Sequence, residues 1–389
     1  MKFPLTSDSW NHEEIKQIHK VIKSNIYTYK GKYVLDYEKK LAAYFKTKYC
    51  ISTNAGSSAN ILSIASLFFK KNNPLKKGDE VIVPALAWST TYMPLQQYGL
   101  KIKILDIDLE TLNVDVNQIF KSVTKKTKLI IGVSILGNPI ETRKISDFCR
   151  KKNIYFMEDN CESMGAKDNN NYTGTFGICN TFSTFFSHHI STVEGGFVLT
   201  NNKEIYHILL SLRSHGWTRD INDKNSLLKK NQKSYEEYCF VLPGYNMRLT
   251  NLQAAVGVVQ LKKLKKFIKI RQTNQKIFQK TFDKDKRFYI QKFRDTPSPF
   301  CFTLIIKPNF TYLKKKIYTA LKKNQIKFRL ITGGSFFKHP VKKFFDFSKF
   351  NGSKNVDYLH EYGFFVGNHP RNLKKEILFL KNVLNKIKT

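Results

Sequence analysis

Residues 101–136 read KIKILDIDLETLNVDVNQIFKSVTKKTKLIIGVSIL, and this stretch decides the fold. KIKILDID (101–108) and KLIIGVSIL (128–136) are short runs rich in Ile and Leu. DVNQIFKSVT (115–124), between them, carries the apolar spacing of a helix. Two buried strands joined by a helix form a crossover unit, and strands so connected pair in parallel.

The same alternation extends in both directions. EVIVPAL (80–86), NIYFMED (153–159), NTFSTFF (180–186) and GGFVLT (195–200) read as buried strands. SSANILSIASLFFKK (57–71), ISDFCRKK (145–152) and KEIYHILLSLR (203–213) read as helices. Residues 1–250 are therefore expected to form a large α/β domain with a mainly parallel sheet. At Thr250 the pattern changes. Thr250 and Gln253 have capping-box spacing and open a long helix over 251–282. Beyond it, FCFTLIIKP (300–308) and IKFRLIT (326–332) read as strands, with helices over 312–324 and 373–388. Residues 251–389 thus predict a linking helix and a smaller α+β domain. The polar run 219–237 reads as a loop, and KKLKKFIK (262–269) as the solvated face of the long helix.

The 389 residues carry 66 Lys+Arg against 30 Asp+Glu, a formal net charge of +36. The lysines are spread over many predicted helices, which fits a general residue bias better than a nucleic-acid surface. A polyanionic substrate such as a nucleotide would still feel the field. The six cysteines form no C-x-x-C pair, and no His/Cys spacing suits zinc, so reduced thiols and no metal are expected. No run approaches the length of a membrane helix, and MKFPLTSDSWNHEE lacks signal-peptide order. A soluble, cytoplasmic protein with no membrane partner is the expectation.

Several short stretches sit where α/β proteins bind ligands. TNAGSSANIL (53–62) follows a strand and opens a helix, whose first N–H groups suit an anion. EDNCES (158–163) ends a strand; its carboxylates are either loop caps or ligand contacts. Trp88, just past another strand, is either core or a stacking surface. Arg248 in GYNMR (244–248) is an ion-pair partner or a carboxylate clamp, and HGWTR (215–219) adds a second His and Arg.

Taken in order, GSSAN, AW, EDNCES, FS-x₄-H…EGG, HG and GYN-x-R resemble the sugar aminotransferases of fold type I. These are pyridoxal-phosphate (PLP) enzymes acting on nucleotide-linked keto-sugars. The resemblance runs from YTYKGKYVLDYEKKLAAYF (27–45) to the small domain. One position departs from the pattern: TFSTFFSHHI (181–190) places His188 where the family has the lysine that binds PLP covalently. Imidazole forms no stable imine, so the cofactor would be held without a covalent bond. His188 would serve as acid and base, with an ordinary pKa of about 6.5 suited to neutral pH.

That replacement is similar to the histidine-bearing 3-dehydratase branch of the family. It implies that L-glutamate converts PLP to its pyridoxamine form (PMP). The C3 hydroxyl then leaves GDP-4-keto-6-deoxy-D-mannose, giving GDP-4-keto-3,6-dideoxymannose and ammonia. The resemblance also assigns roles. Asp159 faces the pyridine nitrogen, Trp88 stacks on the ring, and Glu162 bonds the ring hydroxyl. Gly56, Ser57 and Ser183 hold the phosphate, with Asn246 reaching in from a second subunit of a homodimer. His215 and Arg248 meet the glutamate carboxylate. Arg219, Arg329 and the segment Ile26, Tyr27, Thr28 and Tyr29 meet the GDP-sugar. His189 is expected to make a structural hydrogen bond. The alternatives are another nucleotide-sugar 3-dehydratase, including the iron–sulfur type, which needs clustered cysteines; a true sugar aminotransferase, which needs a lysine near 188; and a non-catalytic PLP-fold binding protein.

Overall fold

The computed structural model describes residues 3–28, 31–221, 227, 238–348 and 353–388. Two helices, α1 (His12–Lys23) and α2 (Lys32–Phe45), precede the first strand. There follow β1 (Tyr49–Thr53), α3 (Gly56–Phe68), β2 (Glu80–Pro84), α4 (Ser89–Gln97), β3 (Lys101–Leu105), α5 (Val116–Ser122), β4 (Thr127–Val133), α6 (Thr142–Lys152) and β5 (Tyr155–Asp159). A two-residue hairpin, β6 (Lys167–Asp168) and β7 (Asn171–Tyr172), leads to β8 (Cys179–Ser183), β9 (Gly196–Thr200) and α7 (Lys203–Arg213).

Seven of these strands make one sheet in the order β1-β9-β8-β5-β4-β2-β3. The pairs β2–β3, β2–β4, β4–β5 and β5–β8 are parallel; β9 alone runs against its neighbours, β1 and β8. The mainly parallel sheet is thus confirmed, with one reversed strand. Both faces are covered, which is why the strands read as continuous apolar runs. Along β4, Leu129 and Ile131 join the core under α3, α4 and α7, while Ile130 joins the core on the α5–α6 side. Along β9, Val198 takes the first face and Phe197 and Leu199 the other, packing against α2 and the next helix.

That helix, α8 (Asn251–Phe282), opens on the expected capping box, with the Thr250 side chain and Gln253 bonding reciprocally. Its first half carries α1 and α2. The buried Glu14 of α1 anchors there by accepting from Gln260 Nε2 at 2.7 Å and Lys263 Nζ at 2.7 Å. Along 262–269, Lys262, Lys265, Lys266 and Lys269 face outward while Leu264, Phe267 and Ile268 are buried, the face expected from the sequence.

Beyond α8, β10 (Phe288–Tyr289), β11 (Cys301–Ile306) and β12 (Gly363–Gly367) form an antiparallel sheet in that order. α9 (Lys314–Lys323), α10 (Lys354–Tyr362) and α11 (Lys374–Asn385) accompany it. The strand expected over 326–332 is corrected. Here Ile326 makes one bridge to Phe3 and Arg329 one to Phe365, and Ile331–Gly333 is a 3-10 turn. Thr332 has φ +45° and is followed by Gly333 and Gly334 at positive φ, so the chain curls back before a ladder can extend. Phe3 packs into the core of this second sheet, bringing the start of the chain to its end. The loop expected over 219–237 falls mostly outside the described residues.

Candidate active site

The C-terminal ends of β1, β2, β4, β5 and β8 meet at one edge of the large sheet, where parallel α/β sheets leave a crevice. A cavity of about 370 Å³ opens there, closed on its far side by Phe300, Arg329, Leu330, Thr332, Gly333 and Phe365. Gly56, Ser57, Trp88, Asp159, Glu162, Ser183, His188 and Arg329, eight residues picked from the sequence, all line it. No lysine does so among the described residues.

Each wall follows from local structure. α3 begins at Gly56, so the N–H groups of its first turn have no partner within the helix and face the cavity with the positive end of the dipole. A Cβ on Gly56 would stand 2.7 Å from Ser183 Cβ, and one on Gly196 2.6 Å from Gly56 N. The glycines therefore let β8, β9 and the α3 entrance close into an anion cradle. Opposite, Trp88 caps α4 and is 56% exposed, its ring bare to the cavity.

Strand alternation separates the two carboxylates that end β5. Glu158 turns away and is pinned by the N–H groups of Gly174 at 2.9 Å and Phe176 at 2.8 Å, a structural use. Asp159 faces the cavity. Its Oδ2 accepts from Thr91 Oγ1 at 2.7 Å and Asn60 Nδ2 at 2.9 Å, and its Oδ1 from Cys161 N–H at 3.1 Å. Sequence reasoning missed Asn60 and Thr91. Their signal was position: Asn60 lies one helical turn after Gly56, and Thr91 three residues after Trp88. Glu162 accepts from Leu136 N–H at 3.2 Å, offered from a left-handed backbone (φ +51°). Burial pushes Glu162 up to about 7 against that hydrogen bond, and the Asp159 charge adds to the rise.

His188 follows β8 in a tight loop, its N–H donating to Phe185 O at 2.9 Å. Its ring meets Phe185 and Phe300 edge-on, with centroids 5.8 and 5.2 Å away. Burial, then the Arg271 cation, lower its pKa to about 4. The ordinary value of about 6.5 expected from sequence is thereby corrected. The imidazole is neutral at pH 7, a ready base that becomes an acid only after taking a proton. His189 Nε2 lies 2.9 Å from Ser298 O, the structural hydrogen bond expected of it, and its ring also packs near Phe300, with centroids 5.8 Å apart.

The remaining predicted residues that the structure describes do not line this cavity. Arg248 Nε donates to Asn246 Oδ1 at 3.0 Å in the exposed loop before α8. His215 N–H donates to Tyr245 O at 2.7 Å, its ring lies against Trp217, and Arg219 sits over the Trp217 ring. Ile26, Tyr27 and Thr28 are exposed, with Tyr27 O and Thr28 O accepting from Asn251 N–H at 3.1 Å. Tyr29 lies outside the described residues. Among the described residues no group of His, Cys, Asp and Glu is arranged to hold a metal, and no helix is long and apolar enough to cross a membrane.

Residues 8–354 match the DegT/DnrJ/EryC1/StrS aminotransferase family, and the chain belongs to it. Within that class, it is 44% identical to a GDP-4-keto-6-deoxy-D-mannose 3-dehydratase of Yersinia pseudotuberculosis, over 99% of both chains. A solved E. coli GDP-4-keto-6-deoxy-D-mannose-3-dehydratase with bound hydrated PLP superimposes with a TM-score of 0.94 at 45% identity, covering 99% of each chain. A structure of GDP-4-keto-6-deoxymannose-3-dehydratase with a trapped PLP-glutamate geminal diamine gives 0.94 at 44% identity, over 98% of this chain and 100% of that one.

Proposed function

We propose that this chain is a PLP-dependent GDP-4-keto-6-deoxy-D-mannose 3-dehydratase with L-glutamate as amino donor. The observation that carries the reading is the histidine at position 188 in a cavity whose lining, among the described residues, includes no lysine. A transaminating relative needs that amine to hold its cofactor covalently; a neutral imidazole there can only move protons. The full-length similarity to 3-dehydratases supports the same choice.

The cavity fits PLP. The first turn of α3 with Ser57 and Ser183 offers N–H and hydroxyl donors to a phosphate, and Trp88 offers a bare ring to a flat heterocycle. When bound, PLP would supply an electron sink for expulsion of a hydroxyl. Asp159, oriented by Asn60, Thr91 and Cys161 N–H, would present its carboxylate to the ring nitrogen and favour its protonated form. Glu162, its pKa raised to about 7, would meet the ring hydroxyl. His188 in its neutral form would be the base that accepts a proton at this wall and, once protonated, the acid for a departing C3 hydroxyl. Phe185 and Phe300 pack edge-on against its ring and set its orientation.

The same proposal includes a homodimer in which Asn246 completes the phosphate site of the partner. Support comes from the exposed Trp88, Phe185, Phe186 and Val193 around the cavity mouth, an apolar rim suited to cover by a second chain. His215 and Arg248 are assigned to the glutamate carboxylate, and Arg219, Arg329 and the 26–29 segment to the GDP-sugar, on the family resemblance; of these, Arg329 lines the cavity. Residues 1–250 and 251–389 are taken as the two domains. Six free cysteines suit a reducing, cytoplasmic setting. The deciding experiment gives purified protein GDP-4-keto-6-deoxymannose, PLP and glutamate, and follows ammonia and product mass. Ammonia with a deoxygenated sugar supports the reading; an aminated sugar, or no turnover, overturns it.

A further inference from the structure

Arg271, on α8, is 3% exposed, and no described carboxylate pairs with it. Its partners are three backbone carbonyls from three places in the chain. Nη1 donates to Phe300 O at 3.0 Å and to Asn368 O, and Nη2 donates to His188 O at 3.3 Å. Phe300 and Asn368 flank the β11–β12 ladder, and Phe300 is the ring that packs against the His188 imidazole. One guanidinium thus ties the loop after β8 to the small sheet and fixes both members of the His188–Phe300 contact.

A second cavity of about 270 Å³ lies beside the first and shares His188, Phe300 and Arg329 with it. Arg271 lines this second cavity, whose walls include no acid among the described residues. His188 therefore lines both cavities. The end of β5 contributes Asp159, Cys161 and Glu162 to the first, and its own loop contributes Glu194. Lining the second cavity are Arg271 from α8, Cys301 at the start of β11 and His369 just past β12, while Arg329 lines both. His189, next in the chain, is itself held near Arg271. A buried cation without a counter-ion opposes a second positive charge beside it.

We propose that Arg271 is a positioning residue for His188, tying its loop through the His188 carbonyl to the small sheet through the Phe300 and Asn368 carbonyls, and opposing a second positive charge on the imidazole. The inference rests on the proposed function only for its kinetic consequence; the titration below needs no substrate. The full chain labelled at histidine nitrogens is titrated by NMR, and the His188 signal is identified by its loss in His188→Asn. Arg271→Gln keeps an amide donor but removes the charge, and its His188 midpoint should rise by about half to one pH unit. Arg271→Lys keeps the charge and should leave the midpoint near the wild-type value while slowing elimination, because two tethers are lost. An unchanged midpoint in folded Arg271→Gln overturns the proposal. So does a raised midpoint in Arg271→Lys, which decides the matter if the Gln variant does not fold. Absence of dehydration by the wild type would sink the functional reading and leave the titration result standing.

Discussion

Asn60 Nδ2 stands 2.9 Å from Asp159 Oδ2, while Asn60 Oδ1 accepts from Thr181 Oγ1 at 2.6 Å. The first turns of α3 thereby aim the carboxylate at the end of β5. Replacing Asn60 by Ala leaves two buried polar groups short of a partner and should cost about 1–3 kcal/mol of stability by denaturant unfolding. Asp159→Asn should fold but slow the glutamate half-reaction by about 100-fold or more, because the pyridine nitrogen loses its anion. A rate near that of the wild type would remove the assignment.

His188→Asn should keep PLP binding and lose dehydration by a factor on the order of 10² to 10⁴. His188→Lys returns a nucleophilic amine to the same wall. Borohydride treatment with PLP should then leave the cofactor covalently attached, seen as a mass increase in the peptide holding residue 188. An unmodified peptide would show that this position does not face the cofactor carbon.

Glu162 gives a pH signature. Its folded pKa of about 7 lies above the ordinary 4.5. Within that window the folded chain keeps a proton the unfolded chain has released, so the contribution is full at low pH and is lost as pH rises. The melting temperature of Glu162→Gln minus that of the wild type should therefore increase between pH ~5 and ~8. A flat difference would place Glu162 in a more polar setting than its burial implies.

Gly56→Ala puts a methyl group 2.7 Å from Ser183 Cβ. The wedge should cost about 1–3 kcal/mol and weaken PLP binding by at least about tenfold, because the cradle opens. Fluorescence titration with PLP checks this, and wild-type affinity would show that the phosphate binds elsewhere.

The shared site can be tested by mixing. His188→Asn and Asn246→Asp homodimers should each be inactive, and their subunits, exchanged by dilution and reassembly, should regain part of the activity. No recovery, with exchange verified by mass, would show that Asn246 does not serve a partner's site.

The sequence by itself determined the layered α/β fold, since strand and helix periodicity are local: α7 and α8 begin and end where their patterns do. It also pointed to part of the cavity wall, Gly56, Ser57, Trp88, Asp159, Glu162 and Ser183, because the ends of parallel strands converge wherever such a sheet forms. Three features were decided only by tertiary structure. The 326–332 run lost its strand to the curl at Thr332, a backbone choice invisible in its apolar spacing. Asp159 gained Asn60 and Thr91 through strand order, which joins residues far apart in the chain. The protonation of His188 was set by burial and by Arg271, 83 positions away. A pKa answers to the charges and solvent around a group, and these exist only once the chain has folded.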